Sequence, residues 1–163
     1  MTEIYGITLK GCKEFQGREG DGVQGNIYMD GKKVGWYNDR ADGGEVEIDY
    51  DSKEIETEIL ARVDRFFERY PQEYSGVDLF FPTILTLMDY EKSLRKALKK
   101  GCNAILAQDA LNSDFPNGCS SIIYFHSEVQ QVDEIKKKYH LEEYLHLRVY
   151  SAPKDFCIKE EVR

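Results

Sequence analysis

A chain of 163 residues is long enough to bury one sizeable core and short for two. Its 41% hydrophobic, 12% aromatic and 32% charged residues exclude a disordered or low-complexity polypeptide. The net charge of −8 argues against a duplex-binding protein, which needs a basic face for the phosphates.

The acidity is concentrated early. Residues 1–51 hold 11 acids against 6 bases, residues 52–100 hold 9 of each, and residues 101–163 hold 10 against 7. Residues 1–6 show neither the basic start nor the apolar run of a secretory leader. The longest apolar stretch, 77–88, is too short for a bilayer and contains Asp78 and Pro82. Cys12, Cys102, Cys119 and Cys157 form no C-x-x-C pair. Together these features predict free thiols and a cytoplasmic location, with no membrane contact.

Residues 4–10 alternate and predict a first strand, followed by a stretch with Gly17, Gly20, Gly22 and Gly25. Asp30-Gly31, flanked by apolar alternation, predicts a two-residue hairpin. With Met29 opposite Lys32 and Ile27 opposite Val34, the residues Ile27, Val34 and Trp36 are expected to share the core face. After a turn at Asp42-Gly43-Gly44, Val46, Ile48 and Tyr50 alternate strictly with Glu45, Glu47, Asp49 and Asp51. One face is then buried and the other lies in water, as in an antiparallel sheet.

Ser52 is placed to cap a helix whose stripe is Ile55, Ile59, Val63, Phe66, Phe67 and Tyr70, ended by Pro71. Glu58 and Arg62 are spaced for an i,i+4 pair on its other face. A second helix is expected from about Pro82 to Lys100, stopped by Gly101. Strands at 103–108 and 120–125, a short helix at 128–139 capped by Ser127 with Gln130, and a strand at 144–150 complete the chain. The fold class is therefore α+β, one domain over 1–163. It comprises an acidic N-terminal antiparallel β-meander (1–51), amphipathic helices (52–100) and a C-terminal ββαβ segment (101–163).

The stretch from Gly17-Arg18-Glu19-Gly20-Asp21-Gly22-Val23 through the Asp30-Gly31 hairpin to Asp42-Gly43-Gly44 resembles small acidic proteins encoded by phages and prophages. Those proteins share a glycine-framed hairpin, a helix, and a later segment like 127–139 that starts at a serine and ends in lysines. The likeness implies a mobile-element context in a bacterial cytoplasm. It brings no activity and no site residue, and it does not extend over 102–118.

Gly20-x-Gly22-x-x-Gly25 has the lettering of a phosphate loop, but a strand follows it where a helix N-terminus is needed. A kinase-like reading lacks its later motifs. Carboxylates at alternate strand positions stand ~6.6–6.8 Å apart, too far for neighbours to share one cation, so no metal and no cofactor are expected. His140 and His146 lack the cysteine company of a zinc site. The lysines at 92, 96, 99 and 100 with Arg95, and those at 136–138, are not interleaved with the aromatics of a single-strand binder.

Two readings result. The first is a non-enzymatic interaction or accessory protein that binds a basic protein surface through Glu45, Glu47, Asp49 and Asp51, with Trp36 as an anchor. The alternative is a small metal-dependent enzyme acting on a phosphate- or nucleotide-like substrate through His126, Asp109 and Asp114.

Overall fold

The computed structural model of the chain describes residues 1–111, 123–125, 132–141 and 147–160. Strands β1 (Glu3–Ile4) and β2 (Ile7–Gln16) pair antiparallel across a tight turn in which Tyr5 and Gly6 both have positive φ, 49° and 75°. The strand expected over 4–10 is thus broken at its first residues. β3 (Asp21–Met29) and β4 (Lys32–Asp39) form the expected hairpin, with φ of 51° at Asp30 and 79° at Gly31. Positive φ at both central residues is the type I′ geometry that matches strand twist, and an Asp-Gly pair adopts it readily. β5 (Glu47–Tyr50) then pairs antiparallel with β4.

Helix α1 (Lys53–Arg69) starts where Ser52 Oγ accepts the Ile55 N–H at 3.3 Å. It ends at Tyr70, held extended (φ −120°, ψ 73°) by the ring of Pro71. Helix α2 (Val77–Lys99) begins at Gly76, about a turn and a half before the expected start, so Pro82 lies inside it. A proline there removes one helical hydrogen bond. Burial of Phe80, Phe81 and Ile84 around it outweighs that cost. The C-terminus closes as expected: Gly101 N–H donates to Leu98 and Cys102 N–H to Ala97, with Gly101 at φ 81°.

Beyond α2 come β6 (Ala104–Gln108), β7 (Ile123–Phe125), α3 (Val132–Lys138) and β8 (Leu147–Tyr150). A 3-10 turn (Pro153–Phe156) and β9 (Cys157–Ile158) follow. β7, β6 and β8 make an antiparallel three-stranded sheet in that order. β9 joins the larger sheet parallel to β1, completing the order β5-β4-β3-β2-β1-β9. The architecture is α+β, with the N-terminal meander on amphipathic helices and the ββαβ segment after them.

The main core joins both sheets through α2: Ile7, Leu9, Ile27 and Tyr37 from the larger sheet, Phe66 from α1, Phe81 and Leu87 from α2, and Ile105 and Tyr150 from the smaller sheet. Ala104, Leu106, Phe125 and Ile135 form a second cluster under α3. One face of the larger sheet is spent on the helices; the other carries the polar residues. Among the described residues, no helix is long and apolar enough to cross a membrane, and Cys12, Cys102 and Cys157 form no disulfide with one another.

Candidate functional site

The register of the larger sheet decides which side chains meet on its outer face. β3 and β4 pair Met29 with Lys32 and Tyr28 with Lys33, but then Ile27 with Gly35. The extra residue, Val34, is a β-bulge, and it shifts the alternation of β4 by one. Val34 and Tyr37 therefore face the core, and Trp36 turns to the outer face, half-buried. The expectation that Ile27, Val34 and Trp36 share the core face is corrected for Trp36, whose core place Tyr37 takes at 5.1 Å from the Phe81 ring.

This shift gathers residues that are remote in sequence. Cross-strand partners share a face, so one row across the sheet reads Lys10, Asn26, Trp36, Asp49. The next reads Gln24, Asn38, Glu47. Lys10 Nζ sits 4.2 Å above the Tyr28 ring, which lies on the same face. The outer face thus grades from cations on β2, through amides and the only tryptophan, to carboxylates on β5.

Glu45, Glu47, Asp49 and Asp51 are all exposed, while Val46, Ile48 and Tyr50 pack on the core. Burial, then the nearby carboxylates of Glu56 and Asp78, push the Tyr50 phenol up to about 12. The row is not uniform. Glu47 Oε1 pairs with Arg40 at 2.5 Å, and Glu47 Oε2 accepts from Asn38 Nδ2 at 3.0 Å. Glu45, Asp49 and Asp51 have no ion pair among the described residues. Among the described residues, Arg40 neutralises Glu47 alone of the row.

Gly35 holds β5 in place. A Cβ there would fall on the carbonyl oxygen of Asp49 and lie 3.3 Å from the Tyr50 Cα. Gly35→Ala is expected to push β5 off β4 and cost about 1–3 kcal/mol, the range for forcing added volume into close packing. Urea unfolding gives the cost, and faster amide exchange confined to residues 47–50 shows where it falls.

Of the alternative site, Asp109 is described, while Asp114 and His126 lie outside the described residues, as do Cys119, His146 and the Ser127–Gln130 cap. Asp109 follows β6, is buried, and its Oδ1 accepts the Leu111 N–H at 3.0 Å, a local turn bond. Tyr150 is also buried, its hydroxyl meeting no hydrogen-bond partner among the described residues; burial, then the Asp109 carboxylate, raises its pKa. The glycine-rich stretch is no phosphate cradle: Gly17 N–H donates to Gly20 in a tight turn, and Gly22 and Gly25 lie within β3. Among the described residues no group of three or more metal-ligating side chains converges. An open hollow lined by Asp64, Phe67, Glu68 and Pro71 at the end of α1 contains no residue of either candidate site. Comparison with protein-family models, curated proteins and solved structures found no match to the chain.

Proposed function

We propose that this is a non-enzymatic interaction protein, an accessory protein of a phage or prophage, that binds a basic protein surface through the outer face at β4 and β5. The observation that carries the reading is the placement of Trp36 beside Asp49, with Asp49 and Asp51 exposed at the same edge and in no ion pair among the described residues. A desolvatable indole next to unpaired carboxylates suits a lysine or arginine, whose stem packs on the ring while its head meets the acid. Glu45 extends the acidic strip. Glu47 contributes less, because a partner must compete with Arg40 for it.

The only tryptophan of the chain stands in the proposed surface, so its fluorescence reports locally. Titration with poly-L-lysine at low salt is expected to change Trp36 emission, with the effect reversed by added salt and absent with poly-L-glutamate. Asp49→Lys is expected to weaken the association about three- to tenfold, the scale of a reversed exposed charge. Asp64→Lys, an exposed acid on α1 with the same change in net charge, serves as the control. Equal weakening by both variants would assign the binding to net charge and remove this surface from the account.

A further inference from the structure

We infer that the free edge of β5 is a docking strand: an extended segment of the partner, alternating lysine or arginine with apolar residues, adds to the sheet beyond it. The inference rests on the acidic-surface reading and gives it a backbone mode and a partner class.

β5 is the terminal strand of its sheet. Its register pairs Trp36 with Asp49 and Asn38 with Glu47, and one bonded pair further on the Asp51 N–H donates to the Val34 carbonyl at 3.0 Å. In an antiparallel ladder, bonded pairs alternate with unbonded ones. Asp51, Asp49 and Glu47 therefore turn their backbone groups toward β4, and Ile48 and Tyr50 turn theirs to the open edge. Those outward N–H and C=O groups meet no partner among the described residues. They are a second observation, independent of the carboxylates, and what satisfies them is another extended backbone.

Edges are commonly blunted by shortness, charge, proline or a bulge. β5 has no proline and its register with β4 is unbroken; its guards are its four-residue length and the charges of Glu47 and Asp49, which repel a like strand and attract a basic one. The two sides of the strand then set the partner's chemistry. A strand added ~4.8 Å beyond β5 places alternate residues opposite the carboxylates and the others against the half-exposed flanks of Ile48 and Tyr50. Cations suit the first positions and apolar residues the second. A second copy of β5 is the wrong occupant, because it would set carboxylate against carboxylate.

The test uses the full-length chain labelled with ¹⁵N and a short peptide of alternating lysine and valine, beside the same peptide with its amides N-methylated. N-methylation keeps charge and side chains but removes the donors of strand pairing. The parent peptide is expected to slow exchange of the Ile48 and Tyr50 amides at least tenfold at saturation, and the methylated one to bind at least tenfold more weakly. Equal binding of both, with those amides unprotected, overturns strand addition and leaves the acidic-surface reading standing. Failure of both to bind at low salt overturns the two together.

Discussion

Phe66→Ala is expected to cost about 3–5 kcal/mol of folding free energy, the range for deleting a buried aromatic. Phe66 is 1% exposed and stands at the meeting point of both long helices and the first turn of the sheet. Its ring lies 6.0 Å from Tyr5 and 5.3 Å from Phe80, both edge-on, and 5.0 and 5.2 Å from Phe67 and Tyr70. Such pairs contribute ~0.5–1.5 kcal/mol each beyond the area they bury. Because those neighbours come from α1, α2 and the β1–β2 turn, the cavity has no single flexible wall to collapse it. Phe66→Leu refills most of the volume and should cost no more than half as much. Denaturant midpoints at unchanged slope measure both; a loss under 1 kcal/mol for the alanine variant would mean the two helices do not close over this ring.

What the sequence made legible was what depends on neighbours in the chain. The Asp30-Gly31 turn, the Ser52 cap and the Gly101 stop are each set by a few consecutive residues, and each lies where expected. The start of α2 was hidden because 77–81 is a short, mostly apolar run too brief to show a helical period, and Pro82 resembles a first-turn residue. The pairing of β9 with β1 joins residues more than 150 positions apart, and no local pattern announces it.

The candidate surface was half legible. Strict alternation sufficed to put Glu45, Glu47, Asp49 and Asp51 in water. Trp36 was assigned to the wrong face because a single bulged residue inverts everything after it along a strand. The signal was present in Gly35, since a glycine inside a strand often marks a bulge or a close backbone approach. Here it marks both: Val34 bulges beside it, and Asp49 comes close above it. The correction strengthens the acidic surface, because it brings an indole to a strip that otherwise holds only charge.

Arg62→Ala is the second large loss expected, about 2–3 kcal/mol. Arg62 leans from α1 onto two turns of the sheet. Its Nη1 and Nη2 reach Asp30 Oδ1 and Oδ2 at 2.9 and 2.8 Å, Nη1 also donates to the Tyr5 carbonyl at 2.9 Å, and Nε reaches Glu58 at 2.8 Å. The arginine side chain is only 16% exposed, so its hydrogen bonds are charge-assisted and partly desolvated. Asp30 is 61% exposed, and its own share is correspondingly small. Asp30→Asn keeps a residue that tolerates the positive φ while removing the charge, and is expected to cost about 0.5–1 kcal/mol at neutral pH. Hydrogen bonds from Arg62 hold the Asp30 carboxyl below its ordinary pKa in the folded protein, with partial burial opposing. A depressed folded-state pKa gives stability that is fully present above the unfolded aspartate value of ~3.9 and is lost as pH falls through the folded value. The difference in unfolding free energy between wild type and Asp30→Asn should therefore be constant from pH 5 to 8 and shrink as pH falls below about 4. A gap that persists undiminished at pH 2 would show that the asparagine disturbs the turn itself rather than the ion pair.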